Sequence, residues 1–375
     1  MALVVTFLGK GGMGRTTVAI AAARQFAAQG KRVLLLGQDS SPAWGLQVGV
    51  SPSDTLSPEP QTLAPNLQVK QLQSAALLEQ VWEELKKQEA QYLRTPFFKA
   101  VYGQELGILP GMDDSLALNA IREADASGQY DVIVYDGEGN QSTLRMLGAP
   151  EIFSWYMRRF RQVFADSDLG KTLSPFLQPI AAAVLNVGWT GGDMFNQPAA
   201  NQATNMLDQG RAAIADPKRV IAYLVTSDRP EAIATAKYLW GSAQQSGITV
   251  GGVLVNAALN RTPGSESSEA LRTEFAPLTL SLIPEKAAED WQPLMTAMPD
   301  FGQTAPQPIR IDSAERKVYL FLPGFDKKQV KLTQYGPEIT VEVGDQRRNV
   351  FLPPELRGRQ VTGAKFHEGY LIISL

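Results

Sequence analysis

The sequence contains no cysteine and a single histidine, His367. Without thiols there is neither a disulfide framework nor a thiolate metal site, and one imidazole does not make a structural zinc centre. No zinc is expected, and His367 reads as a surface strand residue rather than a ligand. An excess of either charge is also missing: 35 Lys and Arg face 38 Asp and Glu, a formal −3, so no nucleic-acid partner is expected. No run of about 18 apolar residues occurs, so no direct membrane insertion is expected. The first strand begins immediately after Met1, leaving no room for a leader. Together these absences describe a cytoplasmic protein. The 375 residues, 44% hydrophobic and 19% charged, suffice for one large α/β domain and a smaller one.

The stretch Val4 to Ile20, VVTFLGKGGMGRTTVAI, organises what is present. Leu3, Val4, Val5, Thr6, Phe7 and Leu8 form an apolar, β-branched run that predicts a buried strand, and an alanine-rich helix from Thr16 to Gln29 stops at Gly30. Between them lie Gly9, Lys10, Gly11, Gly12, Met13, Gly14, Arg15, Thr16 and Thr17. Glycines here let successive backbone N–H groups and the helix N-terminus surround phosphate oxygens. Thr16 is the candidate Mg²⁺ ligand of this loop. Arg15 occupies the place of the usual phosphate-binding lysine; the charge is kept, but a planar fork has a different reach, so slow turnover is expected.

The string GKGGMGRTT resembles the deviant phosphate loop of the dimeric ATPase class that includes arsenite-pump ATPases and tail-anchored-protein targeting factors. That resemblance implies an α/β P-loop fold with a mostly parallel sheet, ATP and Mg²⁺ as cofactors, and a homodimer in which Lys10 reaches the partner's nucleotide. After the next buried strand, Arg32 to Leu36, the segment GQDSSPAW keeps the aspartate of the family's first switch. Asp39 is therefore a candidate both for orienting the attacking water and for the metal side, with an ordinary turn or helix cap as the alternative. A second strand end, YDVIVYD, delivers Asp136 as the metal-linked aspartate, and Thr143, Leu144, Arg145 and Leu147 match the family's second switch position by position. Gly137 to Ser142 depart from it. Asn256, closing the strand Thr249 to Val255, and Pro284, closing Leu278 to Ile283, match the family's adenine-facing positions. LPGMDD at 109–114 resembles an element that precedes a helix, and Asp113 and Asp114 suit that helix's N-terminus.

Two segments, about 72–105 and 151–215, read as a helical subdomain. Phe153, Trp155, Tyr156, Met157, Phe160 and Phe164, then Trp189, Met194, Phe195, Met206 and Leu207, supply flexible apolar surface. Such a surface either closes the subdomain's own core or, as the targeting-factor resemblance implies, forms a groove for hydrophobic protein clients, transmembrane segments among them. The ATPase domain is expected over 1–298 and a Pro-rich linker over 299–308. Residues 309–375 alternate apolar and polar positions in short runs broken by turns, the pattern of an all-β sandwich. LPGFDKKQVKL, NVFLPPEL and GYLIISL resemble the α-crystallin domain of small heat-shock proteins. The chain stops at Leu375 without that family's I-x-I tail, so large cages are not expected.

The function these features imply is a homodimeric, Mg²⁺-dependent ATPase that binds and releases hydrophobic clients. Two other readings stay open: a nucleotide-dependent scaffold that binds without turnover, and a holdase acting through the sandwich alone. Arsenite pumping is disfavoured because no thiolate is available for trivalent arsenic.

Overall fold

The computed structural model describes residues 1–51, 59–80, 83, 111–155, 197–257, 265–288, 290–302, 305–344 and 346–375. The helical stripe at Trp82 and Leu85 and most of the aromatic-rich segment, Tyr156 to Phe195, lie outside them.

The apolar run at the start is strand β1, Leu3–Leu8, buried along its length apart from Leu3. Helix α1, Arg15–Ala28, follows the glycine loop. Strand β2, Val33–Gly37, is wholly buried and leads into the short helix α2, Pro42–Val48. Strands β3, Gln61–Ala64, and β4, Leu67–Gln71, form a hairpin. Then come α3, Met112–Ala126; β5, Val132–Asp136; α4, Gln141–Leu147; and α5, Gln197–Ala215. Alternation resumes with β6, Val220–Thr226; α6, Pro230–Gln245; β7, Thr249–Asn256; α7, Ser265–Phe275; β8, Leu280–Ile283; and α8, Gln292–Ala297.

These strands make one sheet in the order β3-β4-β2-β5-β1-β6-β7-β8, antiparallel only at β3–β4. Parallel strands need both faces covered, which is why their sequences are apolar throughout instead of alternating. Helices α1, α2 and α8 pack on one face. On the other face lie α3, α4, α6 and α7, together with Ile214 of α5. β1 sits between β5 and β6, where the strand order reverses, and ligands of open α/β sheets bind outside the carboxyl ends of the strands at such a point. The register sets Gly37 beside Asp136, so β2 and β5 end together there.

The C-terminal residues form two antiparallel sheets. One has the order β14-β15-β10-β9 and the other β11-β12-β13. Their strands are β9, Ile309–Asp312; β10, Lys317–Phe321; β11, Val330–Tyr335; β12, Glu338–Val343; β13, Gln346–Phe351; β14, Gly363–His367; and β15, Tyr370–Ser374. Val318, Leu320, Ile339, Val341 and Ile373 point inward to a core of their own. His367 is exposed on β14.

The sandwich is seated on α6. Phe321 meets Trp240 edge to face with ring centroids 5.7 Å apart, and Arg348 donates to the Gln244 carbonyl at 2.6 Å. Gly241 lies in the middle of α6 because the Phe325 ring and the Pro323 carbonyl occupy the space any Cβ would need. That close approach explains a residue that otherwise weakens a helix. Gln141, at the start of α4, donates to Ser242 Oγ at 2.8 Å and accepts from the Gln346 side chain of β13. Within the Pro-rich stretch, Phe301 is buried, its ring 4.8 Å from both Phe26 and Tyr223.

Candidate nucleotide site

The glycine loop leaves β1 against neighbouring backbone. Gly9 donates its N–H to the Gly139 carbonyl at 2.9 Å, and a Cβ at Gly9 would overlap the Val225 carbonyl. Gly12 and Gly14 take left-handed φ values of 79° and 87°, which only glycine adopts without cost. Gly14 is the N-cap of α1, with no side-chain cap and no acidic residue in the first turn. The positive end of α1 is thus left for an anion from outside the helix. Lys10 and Gly11 are exposed, Met13 is buried, and Thr17 is half-buried.

A cavity of about 1040 Å³ opens over this loop, and Lys10, Arg15, Thr16, Asp39, Asp136 and Glu138 line it. Asp136 is buried, and its Oδ2 accepts from the Trp44 indole N–H at 2.9 Å. Thr16 and Asp136 line the same cavity. Burial pushes the Asp136 carboxyl above the usual range, against the pull of Trp44, Thr16 and Arg15. Asp39 is exposed, and its Oδ1 accepts the Ser41 N–H at 2.8 Å. It therefore serves as a turn residue while facing the cavity. Arg15 donates from Nη1 to the Gly137 carbonyl at 3.0 Å, and burial lowers its pKa from the ordinary arginine value.

Asn256 and Pro284 are not among the residues that line the cavity. Asn256 donates to the Met13 carbonyl at 3.1 Å, and its amide would stand 2.7 Å from a Cβ at Gly14. It braces the loop from behind. Pro284 follows β8 at its carboxyl end.

Residues 2–275 match the family described as anion-transporting ATPases, and residues 313–375 match an HSP20-like domain found in ArsA. The chain belongs to the anion-transporting ATPase family. A putative arsenical pump-driving ATPase of Chlorobaculum tepidum is 25% identical over 99% of this chain and 95% of its own length. Another, from Aquifex aeolicus, is 20% identical over 99% of each. ATPase GET3 of Malassezia globosa is 26% identical over 50% of this chain and 52% of its own length.

Membership in this ATPase family implies a nucleotide and Mg²⁺, and the cavity can be checked against both. Gly11 and Gly12 have open space where a Cβ would stand, so the loop's backbone is bare toward the cavity. Thr16 and Asp136 form the hydroxyl–carboxylate pair that Mg²⁺ takes when phosphate oxygens and waters complete its shell. The residues present fit both groups.

Sequence reasoning gave Gln38 no role, yet it bridges the first strand end to the second switch. Gln38 Oε1 accepts from the Tyr135 hydroxyl at 2.7 Å and from the Glu138 N–H at 3.3 Å. Its Nε2 donates to Asp114 Oδ1 at 3.0 Å, and the Ser142 hydroxyl donates to the other Asp114 oxygen. The only sequence signal for this bridge was a polar residue directly after a buried strand. Trp44 carried no signal at all.

Gly139 is held at φ 60°, where a Cβ would overlap both the Arg15 guanidinium and the Phe7 carbonyl. Gly139→Ala is expected to cost about 2–4 kcal/mol through left-handed strain and overpacking. Denaturant unfolding, alongside nucleotide titration of the folded fraction, measures both the loss of stability and the displacement of Arg15.

Proposed function

We propose that this ATPase binds Mg²⁺ and ATP in the cavity above the glycine loop, pairs with a second copy across the nucleotide, and uses hydrolysis to bind and release hydrophobic protein segments. What carries the reading is the convergence of the bare loop, the uncapped α1 N-terminus and the Thr16–Asp136 pair on one cavity. Mg²⁺ bound there would neutralise charge building on the phosphoryl group. Thr16 and Asp136 would hold it, the loop N–H groups and Arg15 would hold phosphate, and Asp39 would orient the attacking water. Lys10, which is exposed and lines the cavity, would reach a partner's nucleotide. The targeting factors that the loop resembles supply the client class, and the absence of cysteine from the sequence argues against a thiolate arsenite site.

A second reading has its own observation. The bond from Arg15 to the Gly137 carbonyl commits part of the loop's cation to the second switch, which suits binding without turnover. Steady-state hydrolysis, nucleotide affinity and light scattering on the native chain and on Arg15→Lys separate the two. The ATPase reading expects slow turnover, about tenfold faster in Arg15→Lys, with a nucleotide-dependent dimer. Tight binding with no hydrolysis by either protein would favour the scaffold. Client handling is tested by crosslinking the full chain to a transmembrane-segment peptide with and without a slowly hydrolysed ATP analogue. Equal yields in both would refute it.

A further inference from the structure

Nothing in the sequence marks Trp44: it ends the string SSPAW, beyond the point where the likeness to the first switch stops. In the fold it is one of the largest fully buried side chains, at 1% exposure. Its indole occupies the space beside Gly37 that any Cβ there would take, and Gly37 pairs in register with Asp136. The ring therefore passes across the end of β2, and its N–H meets Asp136 Oδ2 at 2.9 Å.

The turn that carries Trp44 is fixed from two sides. Gln71, at the end of β4, donates to the carbonyls of Asp39 at 2.6 Å and Ser41 at 2.9 Å. The Ser41 N–H is taken by Asp39 Oδ1, and Pro42 starts α2 with its φ already helical. A tryptophan needed only for packing is satisfied by any nearby carbonyl. This one spends its single donor on a buried carboxylate, and such charge-assisted bonds are the strong ones. With Oδ2 held by the indole of a fully buried ring, the carboxylate cannot rotate freely.

We propose that Trp44 is a positioning residue for the metal side of this site: its N–H fixes the Asp136 carboxylate and ties α2, the helix after Asp39, to the second switch. The proposal rests on the reading of Thr16 and Asp136 as the metal side, and the test separates the two.

Trp44→Phe keeps most of the buried ring and removes the donor; circular dichroism and thermal unfolding first establish that it folds. Titration with a fluorescent ADP analogue, with and without Mg²⁺, is then run on the native chain, Trp44→Phe and Asp136→Asn. Affinity without Mg²⁺ is expected to be the same in Trp44→Phe as in the native chain, while the Mg²⁺-dependent gain in affinity falls roughly ten- to a hundredfold, the worth of a hydrogen bond to a charged group. In steady state, kcat falls with KM for ATP at saturating Mg²⁺ unchanged. A second measurement needs no variant to be stable: with ¹⁵N-tryptophan labelling, the Trp44 indole N–H resonance is expected to shift when Mg²⁺ is added to the nucleotide complex and to stay in place when nucleotide is added alone. If Trp44→Phe retains the full Mg²⁺ gain while Asp136→Asn loses it, Trp44 is a core residue only and the proposal is overturned, with the metal reading intact. If Asp136→Asn also retains the gain, the metal reading fails and takes the proposal with it.

Discussion

Asp136→Asn is expected to lower ATP turnover by about two to three orders of magnitude while leaving the nucleotide-free protein as stable as the native chain, or more so, at neutral pH. The rate loss follows from the proposed metal role of Asp136: an amide in its place would be a weaker ligand for Mg²⁺, and one preorganised group is worth about that much. The stability result comes from burial. Desolvation raises the Asp136 carboxyl above its unfolded value. A group whose folded pKa is raised stabilises the fold below the unfolded pKa and loses that contribution as pH rises through the folded pKa. At neutral pH, above the unfolded carboxyl's pKa, the desolvation of this group therefore works against folding, a cost that asparagine, neutral and nearly isosteric, does not carry. The advantage of the variant should vanish below about pH 4, where the aspartate is neutral in both states. Melting curves of both proteins across pH 3.5 to 8, without Mg²⁺ or nucleotide, check this. A melting point for Asp136→Asn well below the native one at pH 7.5 would show that the carboxylate is a net structural asset.

Phe321→Ala is the second substitution with a large expected effect, and it acts on both parts of the chain together. Phe321 belongs to β10 of the sandwich, yet it is buried in the same cluster as Trp240, Leu239 and Phe275 of the ATPase. Its ring packs on Trp240 at 5.7 Å and on Tyr370 at 4.9 Å. Removing it opens a cavity where three aromatic surfaces meet, at about 3–5 kcal/mol. The expected outcome is one cooperative transition in the native chain and a midpoint lower by roughly 5–10 °C in the variant. Calorimetry is the measurement that decides. A variant whose main transition stays in place while a smaller one moves would mean that the sandwich folds and unfolds alone.

The glycine loop and Asp136 were legible in the sequence because each is a local signal: an apolar run that must be a strand, then residues whose type is dictated by neighbours only a few positions away. The mostly parallel sheet with helices on its faces follows from the same alternation, while the strand order does not. Trp44 was invisible because its partner lies 92 positions away, and its role depends on Gly37 being bare beside it. Asn256 was visible as a strand-end polar residue, but the direction of its side chain, toward the Met13 carbonyl, is set by where β7 lies beside the loop. Phe301 was hidden for a similar reason: it sits among Pro, Gly and Gln that read as linker, and what buries it is the surface formed by Phe26 and Tyr223, contributed by distant parts of the chain. So was the docking of the sandwich. Phe325 and Gly241 mean little separately; their fit appears only when α6 and the sandwich are side by side.

Gln141 opens the helix that comes after Asp136 and holds Gln346 on the outermost strand of its sheet. A displacement of that helix by a single turn, about 5.4 Å, exceeds the reach of any hydrogen bond and would break this one. The C-terminal module thus touches the helix that follows Asp136, and a spin label on β13 would register any displacement of that helix relative to the sandwich.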